Sequence, residues 1–200
     1  QIYTSGSTGR PKAVAITHGN LASLIAWARE VFKPQELAGV LASTSICFDL
    51  SVFEILVPLA LGGRVIVAES ALEVPQLPDR EDLTLINTVP SAMAELVRWL
   101  PSLASLRTVA LAGEALRRDL VSRLHDAGIP RVLNLYGPSE DTTYSTCGPQ
   151  PAGAQAPPAI GRSIAGKRLY LLDVSSRLPV PLAVPGEIYL GGQGVARCYQ

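Results

Sequence analysis

Ten residues near the start, Tyr3-Thr4-Ser5-Gly6-Ser7-Thr8-Gly9-Arg10-Pro11-Lys12, gather hydroxyls, two glycines and two cations. Gly6 and Gly9 let backbone N–H groups turn towards an anion at close range. Ser5, Ser7 and Thr8 can donate hydroxyl hydrogens, and Lys12 adds a charge-assisted contact, which is phosphate-binding chemistry. The Walker spacing G-x-x-x-x-G-K-[ST] is absent. A Ser/Gly linker has a similar composition, but linkers seldom lie between apolar strands or end in Arg-Pro-Lys. Asp49 opens an apolar helical stretch within Phe48-Asp49-Leu50-Ser51-Val52-Phe53-Glu54. Taken alone, it is an ordinary helix-terminal acid favoured by the macrodipole. Asn134-Leu135-Tyr136-Gly137-Pro138-Ser139-Glu140 places an amide, a ring and a carboxylate after a β-rich run. That is the carboxyl end of a strand, where α/β sheets bind ligands. The plainer readings there are a capping Asn, a core Tyr and a solvated Glu.

The elements that must position these residues alternate. Apolar, β-rich runs fall at Ala13 to Ile16, Arg64 to Val67, Leu83 to Ile86, Leu106 to Leu111 and Arg131 to Tyr136. Most lack polar alternation, as strands buried on both faces do. Helical patterns intervene: one after Asn20 as N-cap, Asp49 to Leu61 stopped by Gly62-Gly63, Ser91 to Leu100 opened by Pro90, and Arg117 to Ala127. Strands alternating with helices predict a doubly wound, mostly parallel α/β sheet of flavodoxin-like kind over residues 1–147. Gly148 to Pro158 reads as a Pro/Gly-rich connection. Beyond it, Arg168 to Val174 and Glu187 to Leu190 are strands with no helix between them. Residues 148–200 are therefore expected to be part of a small β-barrel-like subdomain.

The chain is 48% hydrophobic and 17% charged, which suits a packed core and excludes a disordered tail. Seventeen basic and seventeen acidic side chains balance, so no nucleic-acid or membrane partner is expected. The longest apolar run, Ile55 to Leu61, is too short to cross a bilayer. Cys47, Cys147 and Cys198 are widely spaced and form no C-x-x-C pair, which fits incidental thiols and a reducing, cytoplasmic compartment. Neither a secretory signal nor a natural start is evident at Gln1, and an internal piece of a longer chain is expected.

Y-T-S-G-S-T-G-R-P-K resembles the signature loop of the adenylate-forming superfamily. Three further segments agree in order: F-D-L-S-V-F-E, N-L-Y-G-P-S-E, and G-E-I-Y-L-G-G-Q-G-V-A-R from Gly186 to Arg197. Among amino-acid-activating members an Asp follows the aromatic residue at Phe48 and pairs with the substrate's α-ammonium, so Asp49 makes the resemblance one to adenylation domains of nonribosomal peptide synthetases. The resemblance implies that ATP and an amino acid give an aminoacyl-adenylate and pyrophosphate. A phosphopantetheine thiol on a peptidyl carrier domain then takes the acyl group, beside a condensation domain.

Carried over residue by residue, Thr4, Ser5, Gly6, Ser7, Thr8, Gly9 and Lys12 would hold the phosphates. Gly113, Asn134, Tyr136 and Gly137 would meet the adenosine, and Glu140 would bind Mg²⁺; Thr8, Lys12 and Glu140 form the catalytic set. The amino-acid pocket would comprise Phe48, Asp49, Leu50, Phe53, Asn87, Ala110, Ala112, Leu135, Thr143 and Tyr144. Apart from Asp49 none is charged, and Phe53, Leu135 and Tyr144 are bulky. A charged substrate side chain would be buried unpaired, which points to a small amino acid, L-alanine first, then glycine and serine. Ser139 and Cys198 stand where the family usually has Thr and Gly. The ribose-binding Asp, the hinge and a C-terminal lysine are expected beyond Gln200, leaving this piece inactive alone. An acyl- or aryl-activating ligase and a non-catalytic nucleotide-binding scaffold are the alternatives. Asp49 speaks against the first, and the intact Lys12 and Glu140 against the second.

Overall fold

The computed structural model describes residues 1–4 and 11–200. The chain opens with an antiparallel ribbon, β1 (Ile2–Thr4) and β2 (Lys12–Val14), which sets Thr4 opposite Lys12. Then come α1 (His18–Val31), β3 (Val40–Ala42), α2 (Leu50–Ala60), β4 (Val65–Val67), β5 (Leu85–Thr88), α3 (Pro90–Leu96), β6 (Thr108–Leu111), α4 (Arg118–Asp126) and β7 (Arg131–Tyr136). The sheet closes with β8 (Thr146–Pro149) and β9 (Arg162–Ser163), and a hairpin of β10 (Lys167–Leu172) and β11 (Glu187–Gly192) follows.

The strand order is β4-β3-β5-β6-β7-β8-β9, parallel from β4 to β7 and antiparallel at β8 and β9. For the five parallel strands this is the doubly wound order 2-1-3-4-5. The strands are buried on both faces, as their unalternating apolar runs require. Ile86, Val109, Leu111 and Val132 face the layer of α3 and α4. Leu85, Ala110, Leu133 and Leu135 face Leu24 and Trp27 of α1 and Phe53 and Val57 of α2. The seven-stranded sheet takes in strands up to Ser163, past residue 147, and the Pro/Gly-rich stretch is shorter than expected because β8 includes Gly148 and Pro149.

The run from Ala13 to Ile16 does not join the main sheet but contributes to β2 of the antiparallel ribbon. Three further elements differ in detail from expectation. The first helix starts at His18 because Thr17, not Asn20, is its N-cap. Thr17 and Asn20 form a reciprocal capping box, the Asn20 N–H donating to Thr17 Oγ1 at 3.2 Å and the Thr17 N–H to Asn20 Oδ1 at 2.8 Å. The helix expected over Ser91 to Leu100 is α-helical only to Leu96 and tightens into a 3-10 turn over Val97–Ser102. Pro101 lacks an N–H and disfavours α geometry in the residue before it. The short buried strand β3 carries no expected run, since three residues are too few to show a period.

Candidate active site

The carboxyl ends of β5, β6 and β7 meet at one rim of the sheet. There, Gly113, Glu114, Asn134, Tyr136, Gly137, Pro158 and Ile160 line a cavity of about 430 Å³. All four residues expected to meet adenosine are in this group. Gly113 turns the chain off β6 at φ 82°, a left-handed angle that glycine adopts without strain. Tyr136, 37% exposed, presents a ring on which a base can stack. The Asn134 amide nitrogen is already engaged, donating to the Ala159 carbonyl at 3.1 Å, which leaves its oxygen for a ligand.

Asp49 sits at the N-terminus of α2, but its carboxylate does not cap that helix. Instead Ser139 Oγ donates to Asp49 Oδ2 at 2.7 Å, and Thr143 Oγ1 donates to the Asp49 carbonyl at 3.0 Å. Burial pushes the Asp49 carboxyl above its usual range; the Ser139 hydrogen bond opposes this, and the charge of Glu140 adds to it. Among the described residues, no ion pair involves Asp49. Asp49 is thus a half-buried carboxylate held by one hydroxyl and, among the described residues, paired with no cation. Asp49, Ser139 and Thr143 line a cavity of about 250 Å³ with Ile16, Val52 and Leu56.

The C-terminal residues fold back onto β2, where the Arg197 N–H donates to the Ala15 carbonyl at 2.9 Å. This places Tyr199 between Lys12 and Glu140. Its hydroxyl donates to Glu140 Oε1 at 2.6 Å, and Lys12 Nζ lies 5.4 Å from its ring centroid. Two of the three expected catalytic residues are thus bridged by a side chain that sequence reasoning did not select. Its only signal was an aromatic two residues beyond the Ala196-Arg197 motif. Thr8, with Ser5, Gly6, Ser7 and Gly9, lies outside the described residues. Glu140 is half-buried, with one phenol on its carboxylate, which suits Mg²⁺: this ion takes one or two carboxylates and fills its octahedron with water and phosphate oxygens. Among the described residues no cluster of three acidic, His or Cys side chains could hold a metal by itself.

The remaining pocket residues separate into two groups. Asn87, Ala110, Ala112 and Leu135 share one face of the sheet, with Asn87 opposite Ala110 in register. Phe53, Ala110, Ala112, Leu135 and Tyr144 are buried in one cluster, the Phe53 and Tyr144 rings 5.4 Å apart. Asn87 is polar and fully buried, so its amide must be satisfied. It donates to Glu54 Oε1 at 3.1 Å and accepts from the Tyr144 hydroxyl at 2.7 Å. Glu54 accepts further from the Ser43 and Thr44 N–H groups at 3.0 and 2.9 Å. Burial drives the Tyr144 phenol well up, and the Glu54 charge adds to it. The sequence pointed to Asn87 and Tyr144 but not to Glu54, which fixes the Asn87 amide that Tyr144 in turn binds. Phe48, by contrast, is 62% exposed and Leu50 only half-buried, so neither joins that cluster. The three cysteines are free; burial raises the Cys147 thiol, and Cys47 and Cys198 are exposed. Among the described residues no helix is long and apolar enough to cross a membrane.

The family model described as AMP-binding enzyme matches residues 1–200, and the chain belongs to that family. Within it, the similarity is to adenylation domains of nonribosomal peptide synthetases. A linear gramicidin synthase of Brevibacillus parabrevis is 56% identical over 199 residues, which are 99% of this chain and 4% of that protein. The AMB antimetabolite synthetase AmbB of Pseudomonas aeruginosa is 47% identical over 99% of this chain, which spans 16% of it. Among solved structures, the adenylation domain AlmE of Vibrio cholerae, in complex with glycyl-adenosine-5'-phosphate, superposes with a TM-score of 0.88 at 28% identity, covering 99% of this chain and 40% of that one. The nonribosomal peptide synthetase FmoA3, bound to AMPPNP, gives 0.88 at 29% identity, with 99% and 22% covered. The chain therefore spans a small part of the length of the relatives it matches.

Proposed function

We propose that this chain is part of an adenylation domain that activates a small amino acid, L-alanine before glycine and serine. The carboxylate of the amino acid would attack the α-phosphorus of ATP, breaking the bond to the bridging oxygen and releasing pyrophosphate. The resulting aminoacyl-adenylate would pass its acyl group to the phosphopantetheine thiol of a carrier domain, with a condensation domain as further partner.

The observation that carries this reading is Asp49: half-buried, without a paired cation among the described residues, and aimed by Ser139 beside Glu140. An acid substrate lacking an ammonium would leave that carboxylate buried and unanswered. Tyr136 would stack on the adenine, with Gly113 and Gly137 admitting it close to the backbone. Lys12 would meet phosphate oxygens. Mg²⁺ held by Glu140 would neutralise phosphate charge, and Tyr199 would release the Glu140 oxygen as it binds. Phe53 and Tyr144, packed together with Tyr144 held by Asn87, favour a short side chain. The glycyl-adenylate complex of AlmE supports a small substrate of this kind.

The test is amino-acid-dependent ATP–pyrophosphate exchange by the full-length protein with all twenty amino acids. Alanine is expected to exchange best, with glycine leaking through, because one methyl is worth only about 1–3 kcal/mol in an apolar pocket. Better exchange with leucine would overturn the substrate, and silence with every amino acid would overturn the activity.

A further inference from the structure

Lys167 opens β10, and its charge has no place in the chemistry above. Its side chain is 1% exposed. Nζ lies 3.5 Å from Asp141 Oδ2, donates to the Asp141 carbonyl and is 3.4 Å from the Thr142 carbonyl. Burial lowers its pKa to about 8, against the pull of Asp141. An ammonium so enclosed is costly, and what it encloses is the sharpest bend of the site. Thr142 and Thr143 are consecutive left-handed residues, at φ 53° and 66°, a conformation β-branched side chains avoid.

Three further hydrogen bonds brace the same bend. Ser145 Oγ donates to Asp141 Oδ2 at 2.6 Å, Thr142 Oγ1 to the Gly194 carbonyl at 2.7 Å, and the Ala196 N–H to the Glu140 carbonyl at 2.7 Å. Gly194 provides the room, since a Cβ there would collide with Lys167 Cε and Nζ and with Asp141 Oδ1. Among the described residues Asp141 Oδ1 is buried and accepts no hydrogen bond, and Lys167 is the cation that answers its charge. The bend delivers Ser139 to the Asp49 carboxylate and Thr143 to the Asp49 carbonyl.

From this geometry we infer that Lys167 is a positioning residue for substrate recognition: with Asp141 it clamps residues 139–145 in the left-handed bend that aims Asp49. The inference rests on the reading of Asp49 given above, and it assigns the β10 hairpin a part in setting amino-acid affinity.

The test is the double variant Lys167→Met/Asp141→Asn in the full-length protein, which removes both charges and avoids the lone buried carboxylate of Lys167→Met. In ATP–pyrophosphate exchange the amino-acid KM should rise about tenfold or more, as a small displacement of a positioning contact can produce. ATP KM and kcat should stay within about threefold. In hydrogen exchange, amides of residues 139–145 should lose protection while β5, β6 and β7 keep theirs. An unchanged amino-acid KM overturns the inference. So does an equal loss in both KM values and kcat, or lost protection throughout the sheet, since each marks a merely structural pair. Absence of any exchange by the unaltered protein would defeat the proposed activity instead. The clamp is then decided by the hydrogen-exchange pattern alone.

Discussion

Two carboxylates stand at opposite ends of the parallel sheet, and their surroundings differ. At the amino ends of the strands, Glu36 accepts from the Lys33 N–H at 2.8 Å and from Thr108 Oγ1, and both its oxygens accept from Arg131 Nη1, at 2.8 and 3.0 Å. At the carboxyl ends, Asp49 has Ser139 on one oxygen and no ion pair among the described residues. Burial raises both carboxyls. For Glu36, the backbone bond from Lys33 with the contacts of Thr108 and Arg131 outweighs it, so that group lies below its ordinary range, while Asp49 lies above. A satisfied buried charge belongs to the fold. A half-satisfied one, held in place at a cavity, is where we propose that a partner from outside binds.

Removing each carboxylate tests the contrast most severely. Asp49→Ala should leave the substrate ammonium buried and unpaired, costing about 3 kcal/mol or more, about a hundredfold in kcat/KM. It should change unfolding stability by less than about 0.5 kcal/mol. Comparable losses of stability and activity would break the distinction. Glu36→Gln should do the reverse, destabilising the complete domain by about 2 kcal/mol in denaturant unfolding. That figure allows for an Arg131 side chain that is 30% exposed. Amino-acid KM should not move.

Glu54 extends the comparison to a third carboxylate, satisfied like Glu36 but set beneath the pocket. Tyr144→Phe removes the donor to Asn87 and should cost about 1 kcal/mol of stability, with a small change in the alanine-to-serine ratio. A large change in that ratio would place the Asn87 amide in contact with substrate. The smallest effect is on pH. Because the folded pKa of Glu36 is depressed, its contribution is present above the unfolded value of 4.5 and fades as pH falls through the folded value. The raised Asp49 works the other way, its cost being relieved on acidification through its folded value. Denaturant midpoints should therefore fall less steeply below pH 4.5 in Glu36→Gln than in the unaltered protein, whereas in Asp49→Asn they should fall more steeply as pH drops through the raised folded value of Asp49 towards its unfolded value of 3.8.

The layout of the sheet was legible because buried parallel strands write themselves as unbroken apolar runs, and β5, β6 and β7 did so. The short β3 was not, and α1 began three residues early because Thr17 and Asn20 cap reciprocally, which composition alone does not distinguish from an Asn cap. In the site, motif residues Asp49, Tyr136 and Glu140 were identified from local strings. Several groups that hold the surrounding side chains and backbone in place were not. Glu54, Lys167 and Tyr199 act across 33, 26 and 59 residues of sequence respectively, through contacts with Asn87, Asp141 and Glu140. Such partners become visible only when the topology brings the strand ends together.

We propose above all that Asp49 is the seat for the substrate's ammonium. The most direct test compares L-alanine with propionate, which matches it in size but lacks the amino group, in adenylation by the full-length protein and by Asp49→Ala. An ammonium seat at Asp49 predicts strong activation of alanine over propionate, and collapse of that preference to near parity in the variant. Equal activation of both acids by the unaltered protein, or a preference for alanine that survives the loss of Asp49, would contradict it.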